Sequence, residues 1–336
     1  MQNTRSSFHF TATVSLAVSI LMWATIPLFL RSFIYELDGW TANGSRYIMS
    51  SLFWLIPLLY FMIRGNVPRR LFYYAIIPAL INIISQTLWA WTIYFLEPGL
   101  VMFLSSMSLV FTILASFLLF PDELALIRSP YFWGGVFLLA AGFIGLNVLR
   151  GTLQSKESWT GILLVLGNAV FLGMYGVSVR YWMRGIRPWI SFPIICIYTT
   201  VGLVILMIYF GNIHDVSLMR PSRFILLLVS ALLGIAFSHV TYYYAIEHLG
   251  TSISDGCQLS LPFITAIGSY FIYGEQFTFG QWICGLGLLG GAALLLMAQK
   301  YLGWVTNPPI LASEFPEAEE LPLIQPLEPQ EKLIDS

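Results

Sequence analysis

Charged residues are scarce in this sequence. Among 336 residues there are 16 Lys and Arg and 17 Asp and Glu, together 10%, while 57% are hydrophobic and the mean hydropathy is +0.77. Soluble domains usually carry about 25% charged residues. An ordinary soluble enzyme is excluded because so few charges could not cover its surface, and the apolar excess excludes disorder for most of the chain. The composition predicts a helical protein that crosses a membrane several times.

The sequence also lacks the motifs of cofactor chemistry. Cys196, Cys257 and Cys284 lie in apolar runs without a CxxC pair, and the four histidines form no HExxH. A disulfide framework or a zinc site is therefore not expected. Neither a phosphate-binding loop nor a dinucleotide-binding glycine motif is present. We expect no cofactor, no nucleic-acid partner and no enzymatic activity.

What the sequence does contain is ten long apolar stretches. Each approaches the roughly 20 residues that a membrane helix needs. The runs are continuous rather than alternating, which excludes a β-barrel, and the connections leave no room for a soluble domain. The predicted fold class is an all-α membrane protein with ten transmembrane helices. The predicted spans are 11–34, 40–63, 71–95, 99–120, 131–149, 160–181, 189–210, 224–246, 251–273 and 280–299.

The charges between the spans predict the orientation. With the N-terminus in the cytoplasm, nine basic residues fall inside and five outside, which is the expected bias. Residues 301–336 hold seven acids, one base and six prolines, the composition of a disordered segment. We expect a multi-pass protein of the cell inner or plasma membrane, with residues 1–10 as a cytoplasmic N-terminus and 301–336 as a cytoplasmic tail.

The two halves of the chain, 11–150 and 159–299, align with each other. Ser108 falls on Ser260, and the stretch that ends in Glu123 falls on the stretch that ends in Glu275. Each half has five predicted helices, an odd number, so the halves must be inserted with opposite orientation. Two inverted five-helix repeats are the plan of many transporters.

On these residues the sequence resembles the EamA-type permeases of the drug/metabolite transporter superfamily. The resemblance covers about residues 11–299 and depends on the repeats, Trp23, Arg46, the element Tyr273-Gly274-Glu275 and the glycine-rich stretch 285–291. In the first repeat, Pro-Asp stands before the glutamate in place of glycine. The resemblance implies ten helices around a central cavity, alternating access, and movement of small metabolites, often outward.

Polar residues inside the spans are candidates for a substrate site. Unpaired polar groups in hydrocarbon are costly and normally face protein or a cavity. We selected those that recur at helical spacing or lie deep in a span. The candidates for substrate binding or gating are Asn43, Arg46, Tyr47, Gln86, Trp89, Ser105, Ser106, Asn168, Tyr175, His239, Tyr243, Asp255 and Gln258.

Arg46 is the sharpest candidate, because it lies about 9 Å deep at 1.5 Å per residue. It either faces the cavity, where it would hold a carboxylate or phosphate, or it snorkels to the interface or pairs with an internal carbonyl. His239 either carries a proton or is a neutral hydrogen-bonded residue. Asp255 is either a cavity residue or a helix N-terminal acid, and Glu275 is expected to tie down the end of span nine.

Two open alternatives concern aromatic and small residues. Trp89 and Tyr175 either line a cavity for amphipathic or aromatic solutes or belong with the aromatic residues that collect at membrane surfaces. Gly287 and Gly291 have the GxxxG spacing, which favours close packing within the fold or a dimer contact.

These observations favour a secondary transporter, an exporter or exchanger, of small organic metabolites such as amino acids. It would work by alternating access through a central cavity in the lipid bilayer. The alternatives are a membrane-embedded enzyme or a receptor or scaffold without transport. Coupling to protons or a counter-substrate, and a monomeric or homodimeric state, are left open by the sequence.

Overall fold

The computed structural model describes residues 2–65, 67–151, 156–183, 186, 188–249 and 257–306. Side chains are described within these ranges except at 2–9, 122, 156–157, 188, 243, 246–249 and 299–306. Throughout the described ranges the regular secondary structure is helical. The prediction of an all-α membrane protein is confirmed.

We number the main helices in chain order, α1 to α10, and several of them begin or end as the sequence dictates. Proline occupies the first turn of α4, α5 and α8, where its missing N–H costs nothing. Gly151 and Gly274, both with φ of 70°, end α5 and α9. The bounds are α1 Gln2–Phe33, α2 Gly39–Ile63, α3 Arg70–Tyr74 continuing as Ile76–Phe95, α4 Pro98–Ser105 with Ser108–Leu119, α5 Pro130–Arg150, α6 Lys156–Trp182, α7 Pro188–Phe210, α8 Pro221–Ala231 with Leu232–Phe237 and Ser238–Leu249, α9 Leu261–Tyr273, and α10 Phe279–Thr306.

Most of these helices can cross a membrane. Among the described residues, nine helices are long and apolar enough to do so. The remaining one, α9, has 13 described residues, and residues 251–256 of the predicted ninth span lie outside the described ranges. The ninth predicted span therefore corresponds to a shorter apolar helix in the part of the chain that is described.

Three of the described helices are interrupted, although the sequence predicted continuous spans. Helix α3 is interrupted at Ala75, between Arg70–Tyr74 and Ile76–Phe95. Helix α4 breaks at Ser106 and Met107, between its segments Pro98–Ser105 and Ser108–Leu119. Helix α8 contains a π-helical stretch, Leu232–Phe237. Such stretches occur frequently at functional sites, because they reorient side chains and backbone carbonyls within a helix.

The helices pack in a pattern that relates the first five to the last five. The most extensively packed pairs are α5 with α10, α3 with α6, α2 with α7, α4 with α6, and α1 with α8. If each helix of the first five is replaced by the helix five places later, and the reverse, the pair of α3 with α6 becomes the pair of α8 with α1. The pair of α2 with α7 and the pair of α5 with α10 are unchanged by this exchange. This pairing is what two related five-helix halves would produce.

Small residues allow α5 and α10 to approach closely. A Cβ on Gly135 would lie 2.8 Å from the Gly291 carbonyl oxygen, and a Cβ on Gly142 would lie 2.8 Å from the backbone of Cys284 and Leu288. The glycine-rich face is thus used for packing within the fold, as close helix contacts in lipid require.

Candidate functional site

A stripe of polar and aromatic residues on α2 lies inside the bundle. Asn43, Arg46, Tyr47, Ser50 and Trp54 are all nearly inaccessible to solvent, with exposed fractions between 0% and 5%. Their spacing places them on one face of the helix, and that face packs against α3, α7 and α8. Polar groups are therefore concentrated between these four helices.

Arg46 is the charged residue of this stripe, and its guanidinium is incompletely paired. Its Nη2 donates a hydrogen bond to the Ser230 carbonyl at 3.3 Å, while its Nε is buried without a partner. Among the described acidic side chains, none forms an ion pair with it. The side chain does not snorkel, since it is only 2% exposed. A buried charge without a counter-charge is costly, so this guanidinium is suited to receive an anion.

The π-helical stretch of α8 begins where α2 reaches it. The Ser230 carbonyl accepts from Arg46, and the next carbonyl, that of Ala231, accepts from the Ser50 hydroxyl at 2.9 Å. A Cβ on Gly234 would lie 2.8 Å from Arg46 Nη2, so the absence of a side chain lets the α8 backbone approach the guanidinium. Sequence reasoning missed Ser230 and Gly234, although a glycine inside an apolar helix is a signal of close approach.

Two buried amides flank α3 beside this site. Asn43 Nδ2 donates to the Gln86 carbonyl at 3.0 Å, and Asn168 Nδ2 donates to the Ser85 carbonyl at 2.9 Å and to its hydroxyl at 3.1 Å. Gln86 thus contributes its backbone. The Oδ1 atoms of both asparagines are buried and have no hydrogen-bond partner in the part of the chain that the structure describes. They are acceptors that a ligand bearing N–H or O–H groups could satisfy.

Hydroxyl groups on α7, which sequence reasoning missed, hold α2 and α3 in place. Thr200 Oγ1 donates to the Tyr47 carbonyl at 3.1 Å and lies 2.5 Å from the Ser51 hydroxyl. Asn82 Nδ2 donates to the Thr199 hydroxyl at 3.1 Å. Thr199 and Thr200 were not recognised because threonine within an apolar run carries no periodic signal of its own.

His239 lies among aromatic rings. Its Nδ1 lies 2.9 Å from the Ile235 carbonyl, which requires the proton on Nδ1 if the two are hydrogen-bonded. The imidazole stacks on Phe192 with ring centroids 4.6 Å apart and meets the edge of Trp23 at 5.4 Å. Phe192 belongs to the same hydrophobic cluster as Tyr47. The structure therefore connects His239 to the Arg46 region through this ring.

Gln258 lies at the other end of the aromatic group. Its side-chain amide contacts the Tyr242 hydroxyl, and the Tyr242 ring lies 4.8 Å from that of Trp23. Trp23, His239 and Gln258 are thus brought together where α1 and α8 meet the beginning of α9.

The remaining candidates are dispersed. Trp89 packs against the largest hydrophobic cluster and Tyr175 against a separate one, so the two do not share a cavity wall through these contacts. Ser105 donates to the Val101 carbonyl of its own helix at 2.7 Å, and Ser106 lies in the break of α4. The Tyr243 side chain and the whole of Asp255 lie outside the described residues.

A second buried charge lies at the end of α9. Glu275 accepts the backbone N–H groups of Gly99 and Leu100 at 2.8 and 3.0 Å, and Arg150 Nη2 at 3.0 Å. Gly274, in the left-handed conformation, ends α9 and turns the chain, so that the carboxylate reaches the N-terminus of α4. Glu275, which we expect to tie down the end of span nine, contacts the N-terminus of α4, a helix of the other half.

Asp38, in the loop before α2, is a third charged residue, and like Glu275 it accepts several hydrogen bonds. Asp38 accepts from the N–H groups of Trp40, Thr41 and Asn212 and from the Thr41 hydroxyl. Partial burial of the carboxyl tends to raise its pKa, but these hydrogen bonds outweigh the burial and hold the pKa below its ordinary value. The residue is therefore an ionised cap of α2 at neutral pH. Within the described side chains, no group of three His, Cys, Asp or Glu residues is placed to hold a metal ion.

Comparison with known proteins agrees with this architecture. Residues 159–297 match the EamA-like transporter family, which confirms the resemblance seen in the sequence. A solved crystal structure superposes with a TM-score of 0.57 at 17% identity and covers 86% of this chain and 98% of its own. At that identity the likeness shows the fold alone. No curated protein matches the chain.

Proposed function

We propose that this protein, with its EamA-like residues 159–297, is a secondary transporter of small organic metabolites that carry an anionic group, amino acids among them. It would be an exporter or exchanger that works by alternating access through a cavity reaching Arg46. The observation that carries the proposal is the buried guanidinium of Arg46, which has one hydrogen bond of 3.3 Å, an unpartnered Nε and no described carboxylate partner.

The chemistry of the site supports an anionic substrate. A guanidinium presents N–H groups in a fork that matches a carboxylate or phosphate, and such charge-assisted hydrogen bonds are stronger than neutral ones. Binding one anion would neutralise the charge that the fold leaves unpaired. The unpartnered Oδ1 atoms of Asn43 and Asn168 offer acceptors for N–H or O–H donors elsewhere on the substrate.

The packing pattern supports alternating access. Its strongest helix pairs are preserved when α1–α5 are exchanged for α6–α10, as expected of two inverted repeats. In such transporters one half rocks against the other around a central site. The Arg46 region fits that role, because α2 of the first half there contacts α7 and α8 of the second.

Reconstitution into liposomes tests the proposal. Labelled amino acids and other carboxylates would be offered to the wild type, Arg46→Ala and Arg46→Lys, with and without a pH gradient. We expect Arg46→Ala to abolish transport, while Arg46→Lys retains a fraction because it keeps the charge but not the planar fork. Arg220→Ala is the matched control, since Arg220 is exposed and its removal should leave transport unchanged.

The variants also need evidence that they fold. Each should elute as a single species in detergent, with the wild-type profile. Normal transport by well-folded Arg46→Ala protein would contradict the proposal. If the whole panel is silent with the wild type and a lipid substrate is turned over instead, the protein is a membrane-embedded enzyme.

A further inference from the structure

We propose that Glu275 is a gating residue whose carboxylate holds one face of the transporter closed. This face, here called the latch face, is the one at which α1, α3, α5, α7 and α9 end. The inference rests on the proposed alternating access, and it assigns to a named side chain the contact that must break when the cavity opens toward this face.

The carboxylate of Glu275 is fully used. Its side chain is 0% exposed, and its two oxygens accept the N–H groups of Gly99 and Leu100 and the guanidinium of Arg150. The N-terminus of a helix favours a negative charge because its first N–H groups have no partners within the helix. The contact joins α9, in the second half, to α4 and α5, in the first.

Arg150 extends this connection. Its Nη1 donates to the Gln276 carbonyl at 2.8 Å, and its Nη2 also contacts the carboxylate of Glu97. Beside it, Gln281 Nε2 donates to the Leu149 carbonyl at 3.1 Å. The end of α5 is therefore bound to both sides of the turn between α9 and α10.

The backbones of α4 and α9 are in close contact beneath the carboxylate. A Cβ on Gly99 would lie 2.8 Å from Glu275 Oε2 and 3.1 Å from the Ala266 Cα. At that separation, no solute fits between Gly99 and Ala266. Opening the latch face here requires the start of α4 to leave α9, so Glu275 must lose both N–H donors at once.

Another ion pair between the halves on this face is more exposed. Arg223 pairs with Glu36 at 2.7 Å, and their side chains are 26% and 38% exposed. Water can replace such partners at little cost. It cannot replace those of Glu275 without first entering the interface, which makes Glu275 the contact that controls opening.

The aligned glutamate of the first half provides a matched control. Glu123 lies after α4, on the opposite face, and pairs with Arg180 of α6 at 2.5 Å. The side chains are 15% and 58% exposed. Replacing Glu123 removes a glutamate of the same aligned element without touching the latch face.

Thiol labelling can measure opening without knowledge of the substrate. In a background with the native cysteines replaced, Ser269→Cys would report on α9 near its end. Ser269 is 0% exposed and its hydroxyl has no hydrogen-bond partner, so a thiol should fit at little cost. The rate of reaction with a membrane-impermeant maleimide would be compared in proteoliposomes for the wild-type latch, Glu275→Gln, Glu275→Ala and Glu123→Ala.

We expect Glu275→Ala to raise the labelling rate by about tenfold or more, because a thiol reacts in proportion to the open population. Glu275→Gln should give a smaller increase, since it keeps one acceptor, and Glu123→Ala should give none. A second reporter, Ser116→Cys, is buried in the far part of α4 and detects general unfolding. If Glu275→Ala raises the labelling of both reporters, the milder Glu275→Gln distinguishes opening from unfolding. Opening raises the labelling of Ser269→Cys alone in that variant.

Labelling at Ser269→Cys that is unchanged in both Glu275 variants would overturn the inference. A response equally large in Glu123→Ala would do the same. The outcome is separable from that of the proposed function. If the protein transports but the labelling rate at Ser269→Cys does not change in the Glu275 variants, only the gating role is contradicted. If the labelling rate rises but the protein transports nothing, only the proposed function is contradicted.

Discussion

Arg46 and Glu275 are both 2% exposed, yet the fold treats the two charges in opposite ways. Glu275 receives two backbone N–H groups and a guanidinium within 3.0 Å. Among the described residues, Arg46 has a single hydrogen bond, of 3.3 Å, and an Nε without a partner. The protein supplies hydrogen-bond partners to both oxygens of the Glu275 carboxylate, whereas the Arg46 guanidinium keeps N–H groups that could still donate to a ligand.

The difference separates maintenance of a conformation from binding of a ligand. A saturated buried charge stabilises the arrangement that supplies its partners, and it resists any motion that removes them. A buried charge without a counter-ion costs free energy in the ligand-free protein, and an anion recovers that cost on binding. In the two proposals above, the latch face serves gating and the Arg46 region serves recognition of the substrate.

The largest expected effect comes from removing each charge and measuring stability. Glu275→Ala leaves two N–H groups without their acceptor and removes one of the partners of Arg150, and should lower the free energy of unfolding by about 3–5 kcal/mol. Arg46→Met removes an uncompensated charge and keeps much of the volume, so it should be neutral or stabilising. Thermal unfolding in detergent, followed by the remaining soluble protein, measures both.

Arg220→Met serves as the exposed control for this comparison and should behave as the wild type. Equal destabilisation by Glu275→Ala and Arg46→Met would contradict the distinction. Arg46→Met would then have removed a residue that the fold needs, rather than one that it tolerates for function.

The sequence allowed the fold to be predicted because the physical signals are local. Runs of about 20 apolar residues determine membrane helices, and the spacing of Asn43, Arg46 and Ser50 places them on one face wherever the helix packs. The burial of this stripe followed from the same argument. These inferences require no knowledge of which helix lies opposite.

The partners could not be predicted, because they depend on contacts distant in the chain. Glu275 and Gly99 are 176 positions apart, and nothing near Glu275 indicates which helix N-terminus it will meet. The π-helical stretch Leu232–Phe237 has no sequence pattern that distinguishes it from an α-helical apolar run. The two carbonyls that Arg46 and Ser50 contact therefore emerged only from the structure.

A carboxylate placed beside Arg46 would give this buried charge a charged partner, as Glu275 already has in Arg150. Asn43 precedes Arg46 by three positions, a separation at which side chains on a helix meet. We expect Asn43→Asp to abolish anion transport nearly completely, because the new carboxylate occupies the guanidinium in place of the substrate. Rates of uptake in proteoliposomes over a range of substrate concentrations measure the effect.

Asn43→Ala is the matched control, because it loses the same hydrogen bond to Gln86 without adding a charge. It should retain measurable transport with weakened binding. If Asn43→Asp and Asn43→Ala transport equally, Arg46 does not bind the anion. The proposal that its unpaired charge serves substrate binding would then be wrong.

The smallest effect is expected at Asp38, a saturated charge that is only partly buried. Asp38→Ala should lower the free energy of unfolding by about 1 kcal/mol, the usual contribution of a helix cap. The hydrogen bonds to the carboxylate hold its pKa below the ordinary value of 3.8.

This lowered pKa also predicts how the effect depends on pH. The carboxylate contributes its full stabilisation at pH values above its pKa in the unfolded chain, and the contribution is lost as the pH falls through its pKa in the folded protein. The difference between wild type and Asp38→Ala should therefore be constant from neutral pH to about pH 4 and shrink below it. Thermal unfolding across this range measures the difference, and one that already disappears near neutral pH would show that the carboxylate is not held ionised by these donors. The size relative to Glu275→Ala then shows how much of a charge's contribution depends on burial, since both carboxylates accept backbone N–H groups.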